Sequence, residues 1–179
     1  MPDQQIEDRY PIGKFSYEKK DYDKGKRNVF ISEIETAPSS LRNAAAGLSE
    51  IQLDTPYREG GWRVRQVIHH LPDSHLNAYV RFKLALTENN PLVKTYDEKK
   101  WAELTDYSNT PIEDSLSFFD SLHKKWVILL KSLDDNDFKK TYLHPELGEV
   151  NLDWATAQYA WHGKHHVAHI TSLRKRMKW

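Results

Sequence analysis

Residues 152–179 read Leu-Asp-Trp-Ala-Thr-Ala-Gln-Tyr-Ala-Trp-His-Gly-Lys-His-His-Val-Ala-His-Ile-Thr-Ser-Leu-Arg-Lys-Arg-Met-Lys-Trp. Ala155, Tyr159, His162, His166, His169 and Leu173 recur at steps of four, three, four, three and four. Such spacing lines one face of a helix. Three histidines stand on that face where leucines are expected. A buried imidazole without partners costs about 1–3 kcal/mol per unsatisfied group. This helix therefore carries either a hydrogen-bonded histidine core or a ligand. His162 and His166, one turn apart, can reach one metal ion together. His165 and His169 form a second pair at the same spacing.

Three further segments show helical periodicity. From Lys26 to Leu48 the stripe is Phe30, Ile34, Ala37, Leu41, Ala44 and Leu48. Pro38 falls inside it and predicts a kink or a break. From Trp62 to Leu86 the stripe is Val64, Val67, Ile68, Leu71, His75, Tyr79, Phe82 and Leu86, with Pro72 predicting a bend. The third helix opens at Thr110 as N-cap, with Pro111 at N1 and Glu113 at N3 completing a capping box. Its stripe is Ile112, Leu116, Phe119, Leu122, Trp126, Leu130 and Leu133. Asp97 to Leu104 has room for one or two helical turns. Residues 138–150 predict a short hairpin or loop before the last helix. Residues 1–24 read as an irregular arm with apolar anchors at Tyr10 and Tyr17. The expected fold is all-α, a single four-helix-bundle domain over residues 1–179. The long connections leave its topology open.

Composition narrows the function. The 179 residues hold 26 Lys and Arg against 26 Asp and Glu. A zero balance disfavours a nucleic-acid partner and an anionic membrane surface. With no cysteine, disulfides, thiolate metal sites and a cysteine nucleophile are excluded. The polar N-terminus is not a secretory signal, and no apolar run spans a bilayer, so the expected location is cytoplasmic. Residue 163 is Gly, so the His-Glu-x-x-His pattern of zinc proteases is missing. A third metal ligand must come from another helix. The second helix offers His69, His70 and His75. Periodicity favours His75, with His70 next at the edge of the stripe and His69 pointing well away.

Residues 60–75, Gly-Gly-Trp-Arg-Val-Arg-Gln-Val-Ile-His-His-Leu-Pro-Asp-Ser-His, resemble the first signature of the DinB/YfiT-like superfamily. Residues 162–170, His-Gly-Lys-His-His-Val-Ala-His-Ile, resemble the second. The chain is most similar to the YfiT branch, described as metal-dependent hydrolases and also as bacillithiol transferases. Gln52–Arg58, Arg81-Phe82-Lys83-Leu84, Tyr96-Asp97-Glu98-Lys99, Tyr10–Gly13 and His144-Pro145 fit that branch as well. Pro72 departs from it, alanine being more usual there. The resemblance implies a four-helix bundle and one divalent metal ion per chain, held by His70, His162 and His166. It thus sets His70 above His75. It also implies a homodimer.

Three imidazoles leave a fourth position open on zinc, the pattern of a catalytic site. Zinc or nickel suits such a donor set better than manganese. The open position activates a water for hydrolysis, with a small-molecule substrate. Alternatively it binds a low-molecular-weight thiol for S-transfer. A third possibility is a binding module that the metal only staples, with His169 or a carboxylate closing the shell. The superfamily name also suggests a DNA-damage response, which the zero net charge disfavours as direct DNA binding. Asp73 and Glu149 are general-base candidates by residue type alone. Gln66, Asp73 and Gln158 are placed to orient the imidazoles, and Trp62, Trp161 and Tyr159 to wall a pocket.

Overall fold

A computed structural model describes residues 8–18 and 23–179. The remainder of the expected arm, residues 1–7 and 19–22, lies outside the described residues. Four long helices dominate: α1 (Lys24–Ala45), α3 (Val64–Thr87), α6 (Ile112–Ser132) and α7 (Leu152–Met177). Short helices α2 (Glu50–Leu53), α4 (Glu98–Trp101) and α5 (Thr105–Asn109) lie in the connections. The hairpin precedes α7, with β1 (Thr141–His144) antiparallel to β2 (Gly148–Asn151). Asn151 then caps α7, its side chain accepting from Trp154 N at 2.7 Å.

The long helices form a bundle with an uncommon order. α1 packs on α7 and α6, and α3 packs on the same two. Consecutive helices α1 and α3 therefore face each other across the bundle, as do α6 and α7. The long connections expected from the sequence make these crossings possible. Apolar side chains form two clusters. One gathers Phe82, Trp126, Tyr142 and Tyr159, and the other Leu41, Ile68, Leu71, Phe119 and Ile170. Gly163 sits where α7 meets α1. A methyl added there would stand 3.4 Å from Ala37 Cβ and 3.7 Å from His75 Cε1, so larger side chains would press on both.

Two local expectations are corrected. The third helix has no capping box: it starts at Ile112 with Pro111 as its N-cap. Glu113 is instead held by Arg42, whose guanidinium donates to both carboxylate oxygens at 2.7 and 2.9 Å. No break forms at Pro38, for α1 runs through it; α3 likewise continues through Pro72, where only a bend was expected. Pro38 brings no N–H to the Ile34 carbonyl, its helical partner four residues back. That carbonyl accepts instead from His123 Nδ1 on α6 at 2.6 Å.

Residues 8–18 pack on α7. Phe15 meets Trp154 edge-on at 5.2 Å. The Tyr17 hydroxyl donates to Asp153 at 2.9 Å. Asp153 is buried and also takes Arg27 Nη1 at 2.8 Å, with the second Arg27 nitrogen on Asp135. Removing one member of a buried pair strands the other's charge and costs about 3–5 kcal/mol. Arg27→Met should therefore lower the unfolding free energy in urea by about that amount. A loss under about 1 kcal/mol, the level of a surface pair, would contradict this.

Candidate metal centre

His70 on α3 and His162 and His166 on α7 converge where these two helices meet. One ring nitrogen from each lies within 4.8 Å of the others. His70 and His166 are buried and His162 is half-buried. His70 Nε2 stands 3.4 Å from His162 Nε2. Two imidazole nitrogens on one tetrahedral zinc, each at about 2.05 Å, stand about 3.3 Å apart. The donor set and spacing thus fit a divalent ion. No carboxylate or fourth histidine joins the cluster among the described residues. Trp62 covers one side, 4.7 Å from the His70 ring and 6.3 Å from that of His166.

The other histidines are engaged elsewhere. His69 points to α6, with Nδ1 2.7 Å from Ser115 Oγ. His165 stacks on Trp161 at 4.4 Å. His169 stacks on Tyr57 at 3.9 Å and donates through Nε2 to the Arg9 carbonyl at 3.2 Å. The second pair on α7 is therefore committed to aromatic and arm contacts. His75, favoured by periodicity, is outside the cluster but in contact with it. Its Nε2 lies 3.1 Å from His162 Nδ1.

The carboxylates and amides proposed by type stand apart. Asp73 accepts from the Tyr107 hydroxyl at 2.7 Å, and burial raises its pKa. Glu149 is exposed on β2 and takes Asn90 Nδ2 at 3.3 Å. Gln66 accepts from Arg63 N and donates to the Ala102 carbonyl, which fixes the start of α3 rather than an imidazole. Gln158 and Tyr159 do reach the centre's surroundings. They line a cavity of about 230 Å³ together with His162, Arg81, Glu98 and His144. Arg81 is buried, donates to the Lys94 carbonyl at 2.8 Å, and has no carboxylate partner among the described residues. Glu98 lines the cavity, its carboxyl raised by desolvation and then by the nearby Glu146. Sequence reasoning assigned no role to Arg81, Glu98 or His144. All three fall in stretches that carried the family resemblance, and that was the available signal.

Comparison with known proteins gives the family. The DinB superfamily model matches residues 33–170. A protein of Bacillus cereus (strain B4264) named "putative metal-dependent hydrolase" is 57% identical over 171 residues, covering 96% of this chain and 98% of the relative. The chain belongs to the DinB superfamily. In structure it is similar to YfiT from Bacillus subtilis, described as "a probable metal-dependent hydrolase with an unusual four-helix bundle topology". That match has a TM-score of 0.93 and 44% identity, covering 97% of this chain and 99% of YfiT. TT2238, a four-helix bundle protein, shares the fold at a TM-score of 0.57 and 17% identity, over 82% of this chain and 98% of its own. No helix among the described residues is long and apolar enough to cross a membrane.

Burial disfavours the charged imidazole at the histidines of the long helices. Desolvation pushes His123 and His169 down to about 4 and His165 to about 3. The unfolded chain, near 6.5, then binds protons that the folded chain refuses. Stability is complete above pH 6.5 and falls as pH drops towards 4, by up to about 1.4 kcal/mol per pH unit for each such histidine. Melting of the metal-free protein should be level from pH 7 to 8 and decline steadily below 6.5. A melting temperature constant down to pH 4.5 would refute this.

Proposed function

We propose that this chain is a metal-dependent hydrolase in which His70, His162 and His166 hold one divalent ion, zinc or nickel. The observation that carries the reading is the convergence of three imidazole nitrogens, joined by no carboxylate and no fourth histidine among the described residues. Such a donor set leaves a coordination position for chemistry. When bound, the ion supplies Lewis acidity and lowers the pKa of water towards neutrality. The names of the Bacillus relatives support the same class.

The remaining steps belong to the protein. The cavity at His162 admits a small-molecule substrate. Arg81, buried on its wall, orients an anionic or carbonyl oxygen of that substrate by charge-assisted hydrogen bonds. Glu98, with its raised carboxyl pKa, is suited to hold a proton at its carboxylate oxygen. Trp62, packed on the His70 and His166 rings, shields those imidazoles from water.

Metal analysis of untagged protein should find about one divalent ion per chain, as one three-histidine site requires. His70→Ala, His162→Ala and His166→Ala should each remove most of it. His75→Ala should weaken binding and yet keep the ion at saturating metal. No ion in the wild type, and none taken up from zinc or nickel, would end the metal reading.

A further inference from the structure

His75 and His123 are among the most deeply buried polar residues, at 0% and 1% exposure, and neither belongs to the ligand cluster. They sit between the two apolar clusters. The His75 ring is walled by Phe119 at 5.0 Å, Trp126 at 5.8 Å and Tyr159 at 5.1 Å, all edge-on. Each nitrogen of both rings nevertheless has a partner. His123 Nδ1 lies 2.6 Å from the Ile34 carbonyl, and His123 Nε2 lies 2.9 Å from His75 Nδ1. His75 Nε2 lies 3.1 Å from His162 Nδ1.

Only one arrangement of hydrogens satisfies this chain of neutral rings. A carbonyl oxygen only accepts, so His123 Nδ1 carries a hydrogen. The other nitrogen of a neutral imidazole is then an acceptor. His123 Nε2 therefore accepts, and His75 Nδ1 donates. By the same step His75 Nε2 accepts and His162 Nδ1 donates. His162 Nε2 is left with a lone pair, and it is the nitrogen that faces His70 Nε2. An extra proton on any of these rings would point a donor at a donor.

We infer that His75 and His123 are positioning residues that fix His162 as an Nε2 metal ligand, reading their polarity from the Ile34 carbonyl that Pro38 releases. One residue from each long helix takes part: Ile34 on α1, His123 on α6, His75 on α3 and His162 on α7. Orienting partners of metal-bound histidines ordinarily are a carboxylate, a carbonyl or water. Here the carbonyl acts through two intervening imidazoles, those of His123 and His75. The inference rests on the proposed metal site, yet the hydrogen order exists without the metal.

The two are therefore separated by two readouts. The ring-nitrogen chemical shifts of ¹⁵N-histidine-labelled protein, free of metal, should show a protonated Nδ1 and an unprotonated Nε2 on His75 and on His123. Zinc affinity by chelator competition should fall about 10- to 100-fold in His123→Phe, the range for loss of a ligand's orienting partner, with one ion still bound at saturation. His123→Gln, which keeps an amide donor and a carbonyl acceptor, should recover part of the loss. Nε2–H on His75 or His123 in the wild type would overturn the inference whatever the metal result. So would unchanged zinc affinity in folded His123→Phe. A wild type that binds no zinc but shows the expected tautomers would remove the metal reading and the ligand role of His162, and leave the hydrogen order standing.

Discussion

A buried imidazole carries one donor and one acceptor on opposite edges of a ring, and each must meet its complement. This requirement governs the middle of the bundle, where a layer of histidines separates two apolar clusters. Leucines there would pack on any neighbour. Histidines dictate which helices are neighbours and which edges face. α3 must stand between α6 and α7 so that His75 can bond both His123 and His162. α1 must lie against α6 so that the Ile34 carbonyl can end the chain. The uncommon helix order, with consecutive helices facing across the bundle, is the arrangement that meets these conditions.

The same accounting explains why the ligand cluster differs from the rest of the layer. His75 and His123 have both nitrogens paired within the protein. At His70, His162 and His166 nitrogens gather with no carboxylate joining them among the described residues. Unpaired buried nitrogens cost stability, and His70 Nδ1 and His166 Nδ1 add to that cost, with no hydrogen-bond partner among the described residues. A bound cation would offset part of it and stabilise the fold by mass action. Evolution retains such a cost most readily where function repays it. The cavity with Arg81, Glu98 and Tyr159 reaches the same place from outside through His162.

Much of this was legible in the sequence, for definite reasons. Periods of three and four residues placed all four long helices, because each buries one continuous apolar stripe. The stripe on α7 exposed His162 and His166 as anomalies, while resemblance rather than spacing selected His70 over His75. Periodicity still found something real in His75, which is central to the layer; a stripe reports burial and says nothing of which ring edge is free. The capping box at Thr110 did not form because Arg42, distant in sequence, holds Glu113. Pro38 predicted a kink or a break, since the sequence does not show that His123 replaces the missing N–H at Ile34. Arg81 and Glu98 had no periodic signature, because cavity walls are assembled from separate segments.

The most direct test of the account is the visible spectrum of the cobalt-substituted protein, before and after adding azide or a small thiol. One cobalt ion per chain in a low-coordinate nitrogen field, with a spectrum that shifts on adding either ligand, is the predicted result: three imidazoles and one exchangeable position. Failure to bind cobalt stoichiometrically, or a bound ion whose spectrum ignores both ligands, would contradict it. The cluster would then be a closed or purely structural feature of the histidine layer.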